Sequence, residues 1–125
     1  MHPSLKYHKK SHGESFLELA QNYLQPNGLY LFDEPEAALS PQRQLTLLME
    51  IDECAKNESQ FIIVTHSPIL LGIPNANIYS FDTGQIHQCD YEDTDSYRIT
   101  KMFVNDRKVF LHRLLDGKSN EKFSF

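Results

Sequence analysis

The stretch that decides the fold is LYLFDEPEAALSP, Leu29 to Pro41. Four apolar residues run straight into two adjacent carboxylates, Asp33 and Glu34, and then a proline. The apolar run is short, continuous and bounded by turn residues, which predicts a β-strand covered on both faces. Two like charges where such a strand leaves the core raise the energy unless something positive lies near them.

Downstream, Ser40-Pro41 reads as the N-cap and first residue of a helix. The helix is expected to run to about Lys56, with Leu45, Leu48, Ile51 and Ala55 turned inward and Asn57 as its stop. FIIVT, Phe61 to Thr65, is a second buried and β-branched strand that ends at His66 and is stopped by Ser67-Pro68. A strand, a helix of about sixteen residues and a second strand make a βαβ unit, which implies parallel pairing and a right-handed crossover.

Upstream, Ser11 and Glu14 form an S-x-x-E capping box. Phe16, Leu17, Leu19, Ala20, Tyr23 and Leu24 then make one apolar helical stripe, closed by Pro26-Asn27-Gly28. Residues 1–10 carry no period and read as an irregular lead-in. Beyond a short helical turn near Pro68–Leu71, NIYSFD and QIHQCD flank Thr83-Gly84 as a β-hairpin. YEDTDS reads as a polar loop. Residues 96–116 read as two helical pieces broken near Asn105-Asp106, with Gly117 as a stop. The expected architecture is α/β in one domain: a parallel βαβ core within residues 11–90 that includes the hairpin, then closing helices over 91–125.

The chain has 125 residues, the size of one ordinary domain, and its 40% apolar content is adequate for a core. Twelve basic against seventeen acidic side chains leave a net charge of −5, so no global basic field invites nucleic acid or an anionic membrane. Cys54 and Cys89 lie far apart with no C-x-x-C pair, which gives neither a disulfide framework nor a zinc knuckle and suits a reducing cytoplasm. The apolar runs are far too short to span a bilayer. A soluble, cytoplasmic protein is expected.

Successive strand side chains point to opposite sides, so Asp33 and Glu34 can serve two different spots of one cleft. A hard cation wants oxygen ligands, and a water attacking a phosphate needs a polarising carboxylate. Adjacent acids at the C-terminal end of a parallel strand supply both, where open α/β sheets place ligands. Taken alone, the pair reads equally well as solvated loop acids. His66 ends the neighbouring strand and can donate to a phosphate or orient a water; alone it reads as a cap on the Ser67-Pro68 turn. The helix opened by Ser11-His12-Gly13-Glu14 offers N–H groups and a positive dipole end to an anion, a contribution of only ~1 kcal/mol. On local evidence, a plain capping box accounts for it better.

Order and spacing carry more than any one motif. S-x-G-E plus helix, a strand ending D-E-P, then A-L-S-P plus helix and a strand ending T-H-S together resemble the C-terminal half of an ABC-class ATP-binding domain. The likeness is to the standalone "AAA family" predicted ATPases of bacteria, within the P-loop NTPase fold. KSHGE resembles the signature motif, LYLFDEP the Walker B strand, Ala37-Ala38-Leu39-Ser40 the D-loop and VTH the switch-histidine segment. The tail YEDTDSYRITKMFVNDRKVFLHRLL is similar to the family's closing helices. The resemblance implies ATP and Mg²⁺ as cofactors. Asp33 would then hold Mg²⁺ through water, Glu34 would polarise the attacking water, and His66 would sense the γ-phosphate. Ser11, Gly13 and Glu14 would belong to a signature segment facing the ATP of a partner subunit in a head-to-tail dimer, with residues 37–40 lining that interface. The chain departs from the general pattern at His12, Glu14 and Ser40, where the family usually has Gly, Gln and Asp.

No G-x-x-x-x-G-K-[ST] occurs; the five glycines stand at positions 13, 28, 72, 84 and 117. The amide cradle, phosphate-binding lysine and magnesium hydroxyl of a P-loop are therefore expected from a complementing half, without which the chain should be inactive. Two other classes remain open. One is a non-catalytic interaction module derived from such an ATPase. The other is a metal-dependent nuclease centre built from Asp33, Glu34, Asp93 and Asp95, which no basic groove supports. The scattered histidines and cysteines have no zinc-ligand spacing.

Overall fold

A computed structural model describes the backbone of residues 12–116 and the side chains of residues 15–116. The chain resolves into two compact units, the first ending at Ala76 and the second beginning at Asn77. The Ser11–Glu14 capping box and the Gly117 stop fall outside the described residues or side chains.

The first unit is the βαβ core. Helix α1 (His12–Tyr23) leads into strand β1 (Leu29–Asp33), helix α2 (Pro41–Lys56) and strand β2 (Gln60–Val64). A 3₁₀ turn over Pro35–Ala38 links β1 to α2, and another covers Leu70–Gly72. The strands pair in parallel, with Leu29 beside Gln60, Leu31 beside Ile62 and Asp33 beside Val64. Ser40 caps α2 as its sequence predicts, its hydroxyl accepting from the Arg43 N–H at 3.2 Å with Pro41 at the first helical position. At the other end Asn57 closes the helix, its side-chain amide donating to the Glu53 carbonyl at 2.9 Å.

The core forms on one face of this sheet. Ala20 of α1, Leu47 and Ile51 of α2, Leu39 and Leu70 are buried together. Phe32, Phe61 and Ile63 approach them from the inner face of the strands, and Phe16 and Leu17 from α1. The aromatic rings interlock: Phe16 meets Phe32 edge-on at 5.8 Å, and Phe32 meets Phe61 at 5.8 Å.

Two sequence expectations are corrected here. The helix face turned inward is Leu47, Ile51 and Cys54, with Leu48 partly buried, while Leu45 is 51% exposed and Ala55 is exposed. Positions 47, 51 and 54 follow the i, i+4, i+7 spacing of one helical face, whereas Leu45 lies about 160° of arc from Leu47, on the opposite side of the helix. The second correction concerns the strands, whose burial alternates rather than being complete on both sides. Leu29, Leu31, Ile62 and Val64 are 64%, 71%, 53% and 57% exposed. A continuous apolar sequence thus presents a bare outer face, which parallel sheets normally cover.

The crossings into β1 and out of α2 are stitched to each other. The Gly28 N–H donates to the Ser59 hydroxyl at 3.0 Å and the Gln60 N–H to the Gly28 carbonyl at 2.8 Å. A Cβ at Gly28 would stand 2.6 Å from the far end of the Tyr30 ring, so a side chain here would push aside the ring whose hydroxyl accepts from the Gln25 N–H.

The second unit opens with the expected hairpin, strands β3 (Ile78–Ser80) and β4 (His87–Cys89) pairing antiparallel with Tyr79 opposite Gln88. Gly84 takes φ 81° in the connecting turn. The polar stretch after it is a 3₁₀ turn over Tyr91–Asp93 rather than an open loop, because the Thr94 hydroxyl donates back to the Tyr91 carbonyl at 2.8 Å. The same hydroxyl caps helix α3 (Asp95–Asn105) by accepting from the Tyr97 N–H. A break at Asp106 separates α3 from helix α4 (Arg107–Asp116), as expected, and Phe103 and Phe110 meet edge-on at 5.7 Å across it. Among the described residues, no helix is long and apolar enough to cross a membrane.

Candidate active site at the parallel strand tips

Both strands end at the same level. Asp33 is the last residue of β1 and lies beside Val64, the last of β2. The pairing continues one step further, the Glu34 N–H donating to the Val64 carbonyl at 2.7 Å. Neighbouring strands are about 4.8 Å apart, so Asp33, Glu34 and the Thr65-His66-Ser67 segment leave the sheet from adjoining tips. By the alternation of β1, Asp33 shares the exposed face with Leu29 and Leu31.

Glu34 then turns out of the strand. Its backbone is left-handed, φ 49° and ψ 54°, a conformation that costs a non-glycine residue about 1–2 kcal/mol. The turn is held on both sides, by the Val64 carbonyl and by the Ala37 N–H donating to the Glu34 carbonyl at 3.1 Å. Both carboxylates are exposed, as is His66. Strain at an exposed acid marks a place where geometry is held by its surroundings rather than by local preference.

The residue that joins the two strand ends is Glu36, which sequence reasoning passed over. One carboxylate oxygen accepts from the Thr65 hydroxyl at 2.6 Å and the other from the His66 N–H at 2.8 Å. A second set of bonds runs alongside. The Ser67 hydroxyl donates to the Gln44 side-chain carbonyl and accepts from the Ile69 and Leu70 N–H groups, each at 3.1 Å. Gln44 in turn donates to the Leu39 carbonyl at 3.1 Å. The third acid of D-E-P-E and the hydroxyls of T-H-S stand in the sequence, but nothing local marks them as partners.

Burial pushes the Glu36 carboxyl up, but the Thr65 hydroxyl, the His66 N–H, its own N–H and the neighbouring His66 charge together hold it below its ordinary value of 4.5. A carboxyl lowered by folding stabilises the fold above its unfolded value, and that contribution is lost as pH falls through the folded value. Urea titrations between about pH 5 and pH 3 should therefore show wild-type stability falling more steeply than that of Glu36→Gln.

Of the other residues singled out by sequence, Gly13 and Glu14 lie in the first turn of α1, and Ser11 lies outside the described residues. In the 37–40 segment, Leu39 is buried in the core at 7% exposure and anchors the rest. Ala37 and Ser40 face outward and Ala38 is half-buried. Asp93 and Asp95 belong to the second unit. Among the described residues, no group of three or more His, Cys, Asp or Glu side chains is placed to hold a metal by itself. The exposed carboxylate of Asp33 at the strand tip is an oxygen donor of the kind a hard cation takes.

A mixed α/β core with acids at the C-terminal tips of parallel strands is the arrangement of nucleotide- and phosphate-handling α/β proteins. Residues 15–72 match the family model described as "AAA domain, putative AbiEii toxin, Type IV TA system". The match supports an AAA-type, P-loop-ATPase-like domain and, at that coarse level, a nucleotide-binding, ATPase-like function. It spans β1, the 37–40 segment, α2 and the His66 segment, and begins just after Glu14. No curated protein matches the chain. No solved structure matches it either.

Proposed function

We propose that this chain supplies the acid-bearing half of an ABC-type ATPase site and hydrolyses ATP once a P-loop half completes it. The observation that carries the reading is the register of β1 and β2, which sets Asp33, Glu34 and the His66 segment on adjoining tips. The bare outer face of Leu29, Leu31, Ile62 and Val64, beside Asp33, favours a complementing half that covers it.

Asp33 would hold Mg²⁺ through water, and the ion supplies neutralising charge to the phosphate oxygens when bound. Glu34 accepts the proton of the attacking water from a backbone held in its left-handed turn. His66 donates to the γ-phosphate. Ser11, Gly13 and Glu14 contact ATP bound by a partner subunit in a head-to-tail dimer, and the exposed side of residues 37–40 meets that partner.

The test is ATP hydrolysis by the full chain with and without a co-expressed polypeptide carrying the P-loop and its strands. Turnover near background alone and clear turnover with the fragment is the expected result. Robust turnover by the isolated chain would contradict the half-site reading, and none in either case would contradict the ATPase reading.

A further inference from the structure

We infer that Glu36 is a positioning residue: its carboxylate clamps the backbone of the Thr65-His66-Ser67 segment to the turn after Glu34 and so fixes where His66 stands at the strand tips. The inference rests on the proposed ATPase reading for what His66 does, but not for where it is held.

The geometry is that of a two-point bridge. Glu36 sits in the 3₁₀ turn directly after the left-handed Glu34, and its two oxygens take different donors on the facing segment, at 2.6 and 2.8 Å. Thr65, whose hydroxyl is thus engaged, also accepts from the Ser67 N–H at 3.0 Å, so the bridge reaches past His66 on both sides. The β-ladder ends at Val64. Beyond it, this carboxylate replaces the strand pairing that would otherwise have to place His66. Charge-assisted bonds of this kind are about twice as strong as neutral ones, and here they hold a segment whose middle residue, His66, is exposed.

The parallel chain Leu39–Gln44–Ser67 fastens the same two segments a few residues further along. Residues 36–44 and 65–70 are therefore one hydrogen-bonded piece.

Two measurements on Glu36→Gln decide the matter. In the full chain without nucleotide, the His66 amide should shift upfield and exchange about tenfold faster, while amides of the β1–β2 ladder keep their protection. Thr65→Val removes the donor on the other oxygen and should leave the His66 amide signature in place. An unchanged His66 amide in Glu36→Gln overturns the proposal, as does loss of protection throughout the ladder, since Glu36 would then support the fold at large. In the assembly with the P-loop fragment, kcat should fall about tenfold with KM for ATP within about twofold of wild type. An unchanged kcat despite a displaced His66 amide also overturns it. Should the wild-type assembly hydrolyse no ATP, the ATPase reading fails, and the amide measurement still decides whether Glu36 holds the segment.

Discussion

Glu34→Gln is expected to lower ATP turnover by the completed assembly by about two to four orders of magnitude, the contribution of a positioned general base. Gln keeps the length, the planar end and the backbone requirements of Glu, so the left-handed turn and its two backbone bonds survive. What disappears is the capacity to take a proton from water. The side chain is exposed, and exposed substitutions away from special features usually change stability by less than about 0.5 kcal/mol. The loss should therefore fall on kcat, with ATP affinity and urea midpoint close to wild type. A turnover that survives within about threefold would remove Glu34 from the chemistry.

The strained backbone supplies an internal contrast. Glu34→Gly relieves a φ of 49° that only glycine adopts freely, and should stabilise the folded chain by about 1 kcal/mol while being as inactive as Gln. A site where the wild-type residue is worse for stability and better for activity is the signature of a functional position. If glycine proved neutral or destabilising, the strain would be compensated locally and would carry no such meaning.

Most of the framework is legible in the sequence because its signals are local. Ser40-Pro41 and Asn57 bracket α2, Thr83-Gly84 turns the hairpin, and Asn105-Asp106 breaks the last helices, each through its own backbone chemistry. The acids and His66 are placed by the βαβ rule alone, since parallel strands joined by a helix must end at the same edge. The bare sheet face is not legible. Leu29 to Phe32 and FIIV have the composition of strands buried twice over, yet only Tyr30, Phe32, Phe61 and Ile63 face the helices. Their composition describes a complete sheet sandwich, and the described residues provide one layer of it. Glu36 escaped for the opposite reason. Its partners are twenty-nine and thirty residues away, and nothing in P-E-A distinguishes a carboxylate that bridges segments from one that is merely solvated.

The face of α2 is the remaining discrepancy, and it leads to the second large effect. Leu47→Ala is expected to cost about 2–5 kcal/mol, because Leu47 is 0% exposed at the centre of the cluster with Ala20, Leu39, Ile51 and Leu70. Each of those neighbours comes from a different turn or element or is itself helical, so little can move in to fill the void. Domains of this size have only about 5–15 kcal/mol in all, and a loss at the upper end would leave the first unit largely unfolded at physiological temperature. Leu45→Ala, two positions away and half exposed, should cost less than about 1 kcal/mol. The pair is a direct measurement of helix rotation, because apolar periodicity admits either leucine as the inward one and only packing chooses. Urea unfolding of both variants, followed by circular dichroism, gives the comparison. A larger cost at Leu45 than at Leu47 would mean that α2 is turned by about two residues, or some 160° of arc. Gln44 would then leave the Ser67 hydroxyl, and with it would go the second tie between the 36–44 segment and the His66 segment.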